Sequence, residues 1–256
     1  MVGSNDLLIA IEDKAVRGDE IVVVRVLNEA THLTRTIIVN RGETDPPLTD
    51  QKLTAEILAA VDALKARSGV TDLIKTLDEQ GTQVTLAIEI VKPKTELLIF
   101  GAGHVGQAVA SIGALIGYDV TVIDDREEFA SRRRLPDPRI NLVVSDYVHA
   151  TERVTISPGT VVVIVTRGHQ YDEQCLKSVI GSRATYVGMI GSKKRVLSVF
   201  KKLVDEGVPE KDLQRVHAPI GLRIGAKSPQ EIAVSILAEV INHLNNSNQK
   251  GERNGI

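Results

Sequence analysis

Short runs of apolar, mostly β-branched residues alternate with helical spacings through the second half of the chain. Leu97–Phe100 is a short apolar run, as expected of a parallel strand buried on both faces. Val120–Ile123, Ile140–Val144 and Val161–Val165, the last with five β-branched residues in succession, read as further strands. Between and after them apolar residues recur every three or four positions, as on one face of a helix. Val105, Ala108, Val109, Ile112, Leu115 and Ile116 form one such series. A stretch from about Asp172 to Ile180 forms another, and Val196, Val199, Phe200 and Leu203 a third. Ile232, Ile236, Val240 and Leu244 line the last, which Ser228-Pro229-Gln230-Glu231 announces with an N-cap serine, a first-turn proline and a capping-box glutamate. The alternation predicts a parallel sheet with helices on both faces.

The first 92 residues follow a different rhythm. Leu7, Leu8, Ile11 and Ala15 predict a helix over Asn5–Arg17, which Gly18 and Asp19 stop. Ile21–Leu27 and Thr36–Val39 read as strands, and Asn40–Asp50, with Gly42, Pro46 and Pro47, as a loop. Leu53, Ile57, Val61 and Leu64 predict a helix capped by Thr49 or Asp50. Thr71–Asp78 reads as a shorter helix and Val84–Val91 as a strand, after which Pro93 breaks the pattern. The fold expected is α/β: a Rossmann-like parallel sheet domain over residues 93–246, preceded by a small α+β domain over residues 1–92. Residues 247–256 complete the chain as part of a polar stretch from Asn245, expected to fray. No catalytic constellation is visible before residue 93.

Composition narrows the function classes mainly by exclusion. The formal charge of −2 predicts neither a nucleic-acid nor a membrane field. No apolar run approaches the roughly 18 residues of a membrane span, and a signal-peptide pattern is not evident. A single cysteine excludes an intrachain disulfide framework and fits a reducing cytoplasm, the location expected. Aromatic residues make up 3% of the chain, too few for a platform that stacks single-stranded nucleic acid.

The chemistry concentrates in Thr95–Asp125. The strand Leu97–Phe100 ends in Gly101-Ala102-Gly103-His104-Val105-Gly106, a G-x-G-x-x-G placed where a strand turns into a helix. Gly101 permits the tight turn, Gly103 lets the backbone approach a phosphate, and Gly106 removes a side chain where helix meets sheet. The N–H groups and positive dipole end of the helix favour an anion. Asp124 follows Gly101 by 23 residues, near the roughly 20-residue spacing of a carboxylate on a ribose hydroxyl.

Other special residues fall at strand ends, where open α/β sheets bind ligands. They are Asp124-Asp125-Arg126, Asp146, Thr166-Arg167-Gly168-His169 and Gly191-Ser192-Lys193-Lys194-Arg195. The last group reads as a second anion site, with backbone donors backed by three cations, or as a solvated basic turn. His104 and His169 suit hydrogen bonding or phosphate contact better than metal, for which no convincing partner set is present. Arg132-Arg133-Arg134 reads as a solvated face, and Cys175 as a buried inert thiol.

Five blocks in this order carry a family resemblance: IFGAGHVGQAVA, VTVIDDREEFA, TRGHQYDEQCL, YVGMIGSKKR and HAPIGLRIGAKSPQEIAVSILAEVI. The stretch from Val91 to Ile241 resembles the Rossmann half of the xanthine dehydrogenase accessory (XdhC/CoxI) family. The N-terminal module resembles the family less well, because residues 28–50 lack the glycine-rich stretch, ending in a glutamate, that members carry there. The resemblance implies a maturation factor without turnover of its own. Such a factor binds the molybdenum cofactor, as molybdopterin or its dinucleotide form, and delivers it to an apo molybdenum hydroxylase of xanthine dehydrogenase type. It also implies a cysteine desulfurase as sulfur donor and, as an open possibility, a homodimer. The alternatives are an NAD(P)-dependent oxidoreductase and an NAD-binding sensor. Asp124 argues for NAD over NADP and Arg126 blurs that distinction. Against the oxidoreductase, no further domain is evident to bring an acid or base to a nicotinamide.

Overall fold

The computed structural model describes residues 21–40, 42–66, 70–91 and 94–253. The helix expected over Asn5–Arg17 lies outside these residues. The chain divides into two compact units between residues 93 and 94.

In the first unit five antiparallel strands form one sheet: β1 (Ile21–Asn28), β2 (Thr34–Asn40), β3 (Glu43–Asp45), β4 (Thr71–Leu77) and β5 (Gln83–Val91), in the order β3-β2-β1-β5-β4. Helix α1 (Gln51–Ala66) covers one face. Val22, Val24 and Val26 point to that face and meet Ile57, Val61 and Leu64 of the helix, as period-2 and period-3.6 patterns require. Asp50 caps α1, its carboxylate accepting from the Leu53 N–H at 2.7 Å.

Residues 71–77 depart from the helix that the sequence suggests. Leu73, Ile74 and Leu77 fit a helical spacing, yet they form an edge strand paired from Thr71↔Glu89 to Leu77↔Gln83. The reason lies beyond the segment, in the turn that follows. Asp78 accepts from the Thr82 N–H at 2.7 Å, and Gly81 adopts φ +80°. That turn folds β4 back onto β5, and the ladder overrides a weak local preference.

The second unit is a doubly wound sheet of six parallel strands. They are β6 (Glu96–Phe100), β7 (Asp119–Asp124), β8 (Asn141–Val144), β9 (Thr160–Ile164), β10 (Tyr186–Met189) and β11 (Val216–His217). Their order is β11-β10-β9-β6-β7-β8, so the chain winds outward from β6 in one direction and from β9 in the other. Strand alternation divides the core in two. Leu97, Ile99, Val120, Val122, Val161 and Val163 face helices α2 (His104–Leu115) and α6 (Pro229–Arg253). Leu98, Phe100, Ile123, Val162 and Ile164 face helices α3 (His169–Val179) and α4 (Lys193–Asp205). A short α5 (Glu210–Leu213) precedes β11.

Helix α6 runs on to Arg253, beyond Asn245, where the apolar stripe ends. Each further turn of an established helix adds backbone hydrogen bonds without a new nucleation cost, so a polar stretch can extend it. Its start is as the sequence predicts: the Glu231 N–H donates to Ser228 Oγ, and the Ser228 N–H returns a bond to Glu231 Oε2. Ser228→Ala should therefore cost about 1 kcal/mol, read as a lower urea midpoint at unchanged slope.

Candidate functional site

Strands β6 and β9 are neighbours from which the sheet winds in opposite directions, and their carboxyl ends are level, with Phe100 paired to Ile164. A crevice forms at such a switch point because the following helices leave on opposite faces. The glycine turn enters it directly from β6. Gly101 has φ +108°, and a Cβ there would lie 2.6 Å from the Val165 carbonyl oxygen. A Cβ on Gly106 would lie 1.8 Å from the Gly101 carbonyl oxygen. Both positions are therefore glycine for reasons of folding. Gly103 differs: its φ is −69°, and a Cβ would meet nothing within 4 Å. It is the N-cap residue of α2, and no side chain caps that helix. The first N–H groups of α2 are left for an outside acceptor.

Asp124 does not face this opening. It is fully buried at the end of β7. Its Oδ2 accepts from the Ala102 N–H at 2.7 Å and from Arg126 Nη2 at 3.0 Å. Its Oδ1 accepts from the Arg126 backbone N–H at 3.1 Å and from Arg126 Nε at 2.8 Å. Burial pushes this carboxyl up, but the bonds from Arg126 and Ala102 outweigh it and hold the group below its usual range. The Arg126 guanidinium then lies over Phe129, 3.5 Å from the ring centroid, with Arg134 on the same ring at 4.1 Å.

The next residue, Asp125, takes the outward position. Its Oδ2 pairs with Arg167 Nη2 at 2.9 Å, and the same nitrogen donates to Tyr171 Oη at 2.8 Å. Arg167 also stacks on Tyr171, which in turn meets Tyr147 edge-on at 5.4 Å. Thr166 Oγ1 donates to the fully buried Asp172, whose other oxygen pairs with Arg195. Arg195 thus points inward from α4, while Lys193 and Lys194 stay exposed. Ser192 caps α4 by accepting the Arg195 N–H at 3.2 Å. Gly191-Ser192-Lys193 follows β10, two strands out from the glycine turn with β9 between.

His104 is exposed at the start of α2, and Gly168 is the N-cap residue of α3, which His169 begins. Among the described residues no group of three or more His, Cys, Asp or Glu side chains is placed to hold a metal ion. Cys175 is fully buried in the core, and burial pushes its thiol well up. Glu239 of α6 fixes the segment after β11: Tyr186 Oη, His217 Nδ1 and the Gly221 N–H all meet its carboxylate, at 2.8, 2.9 and 2.7 Å. Sequence reasoning did not single out Phe129, Tyr147, Tyr171 or Glu239. Their spacing is that of ordinary core positions, and only the placement of the charged residues reveals their part.

A glycine turn of this kind at a switch point is that of a Rossmann-type fold. Residues 97–240, more than half of the chain, match the XdhC Rossmann domain, and the chain belongs to the XdhC family. Three curated relatives are similar to it. YqeB of Escherichia coli K12 is 33% identical over 167 residues, 65% of this chain and 30% of its own length. A probable xanthine dehydrogenase subunit from Bacillus subtilis 168 is 29% identical over 60% of this chain and 44% of its own length. The molybdenum cofactor insertion chaperone PaoD of E. coli K12 is 24% identical over 58% of this chain and 40% of its own length. The matches thus span less than half of each curated relative. A crystal structure of a xanthine dehydrogenase from Bacillus halodurans is similar in fold. It has a TM-score of 0.66 at 21% identity and covers 98% of this chain and 70% of that one. Among the described residues no helix is long and apolar enough to cross a membrane.

Two outcomes follow for the turn. Gly106→Ala should lower the melting temperature by several degrees, because the new methyl collides with backbone, whereas Gly103→Ala should leave it within a degree or two. Asp124→Asn should cost about 2 kcal/mol at neutral pH by weakening bonds to a charged donor. Because the folded carboxyl is held low, its contribution is complete above the unfolded value near 4 and fades as pH falls through the folded value. Chemical denaturation of both proteins should therefore show their stabilities converging below about pH 4.

Proposed function

We propose that this protein binds the molybdenum cofactor at the glycine turn and passes it to an apo molybdenum hydroxylase of xanthine dehydrogenase type. The observation that carries this reading is Gly103. Folding accounts for Gly101 and Gly106, but the space beside Gly103 has no occupant, and the uncapped start of α2 adjoins it. A phosphate fits there, accepting from backbone N–H groups that no side chain serves. Membership of the XdhC family, and the role that PaoD is named for, favour a pterin as the group attached to that phosphate. Gly101, Gly103 and Gly106 shape the cradle, with His104, Asp125, Arg126 and Thr166–His169 around it and Gly191, Ser192 and Lys193 as a second anion contact. Asp124 and Arg195 act from behind, holding the turn and the end of β9. A cysteine desulfurase would supply the sulfur ligand before transfer, in a cytoplasmic exchange between soluble partners and with no turnover by this chain itself.

A second reading has one observation in its favour. The strand order is that of the dinucleotide-binding fold, so NAD(H) could occupy the same crevice. One experiment separates the two. The protein is incubated with molybdenum cofactor, freed of unbound ligand by gel filtration and oxidised, and the fluorescence of the released pterin is read. Near-stoichiometric retention, reduced at least tenfold in Gly103→Asp, is the expected result. The substitution suits the purpose because its backbone is compatible with any residue and its Cβ meets no neighbour. Absence of retention, with NADH raising the melting temperature instead, would establish the second reading.

A further inference from the structure

Asp125 and Arg167 follow strands that are not neighbours. Asp125 follows the last residue of β7, and Arg167 lies three residues beyond β9. Strand β6 runs between them. Adjacent strands lie about 4.8 Å apart, so the two backbones stand roughly 10 Å from each other. Their side chains nevertheless close to 2.9 Å. The pair therefore bridges the ends of β7 and β9 across the position of β6, the strand that continues as Gly101–Gly103 into α2.

The pair is also built unevenly. Arg167 has a second anchor, since it stacks on Tyr171 with its guanidinium carbon 4.5 Å from the ring centroid and donates to the hydroxyl. Asp125 has less to hold it. Its Oδ1 is buried with no hydrogen-bond partner among the described residues, and Arg126 Nε is 3.8 Å away. A buried carboxylate oxygen without a donor is poorly compensated. A phosphate at the start of α2 would add repulsion between like charges and offer Arg167 a more highly charged acceptor of suitable geometry.

We propose that the Asp125–Arg167 ion pair bars the crevice in the ligand-free protein, and that a ligand phosphoryl group opens it by replacing Asp125 on Arg167. The inference rests on the reading of the glycine turn as a phosphate site, and holds equally for a phosphorylated pterin and a nucleotide. Arg167 keeps its place on Tyr171 throughout. Asp125 is thus a competitor of the ligand and not a contact to it, which fixes the sign of the test.

The full chain is titrated calorimetrically with pyrophosphate and with ADP, after melting curves have shown each variant folded. Asp125→Asn should tighten binding of both probes about tenfold. Arg167→Gln should weaken it about tenfold, and Asp125→Asn added to Arg167→Gln should bring little further gain. Asp125→Ser serves as the second neutral variant should the asparagine protein not fold. Weaker binding by the neutral variants would make Asp125 a ligand contact and overturn the proposal. An equal gain with and without Arg167 would reduce the effect to general charge and overturn it as well. Binding by the unaltered protein with no response to position 125 would remove this inference alone. If no form binds either probe, the phosphate reading of the turn falls and takes the bar with it.

Discussion

The carboxylate of Asp124 is the constraint on which the glycine turn at the end of β6 depends. The chain leaves β6 through a glycine in left-handed backbone geometry, and the next N–H, that of Ala102, is buried and directed away from any ladder partner. Left alone, such a donor costs on the order of 1–3 kcal/mol. Asp124 answers it from the neighbouring strand, and Arg126 closes both carboxylate oxygens. The turn, the end of β7 and the first residues beyond it are thereby one unit. The same bonds bury Asp124 and engage Arg126, while Asp125 and Arg167 pair with each other.

The three glycines of the turn show how much a motif leaves open. Gly101 and Gly106 are forced by backbone angle and by contact, and would be glycine in a protein that bound nothing. Only Gly103 lacks a folding reason. A motif scored as a whole would count all three alike; the structure separates the residues that build the turn from the residue that leaves it accessible.

Much of the architecture is legible in the sequence because the signals are local and repeated. Unbroken β-branched runs mark strands buried on both faces, and Ser228 with Glu231 marks a helix start that the hydrogen bonds reproduce. What is not legible depends on distant partners. Residues 71–77 become a strand because the turn at Asp78–Thr82 returns the chain to β5. The end of α6 passes Asn245 because an existing helix extends at little cost. At the site, a spacing of 23 residues suits a carboxylate on a ribose and a carboxylate under a turn equally well. Arg195 looks like one cation of a surface cluster until Asp172, buried on another helix, turns it inward.

Cys175 has a practical bearing on how this molecule can be followed in solution. The chain has no other thiol, and this one sits fully buried among Leu176, Val179 and Ile164 with its ionisation suppressed. A maleimide or a spin label finds no target on the folded protein as it stands. One cysteine engineered on the surface would therefore react alone, without prior removal of the native residue. The fold comes already prepared for single-site spectroscopic labelling.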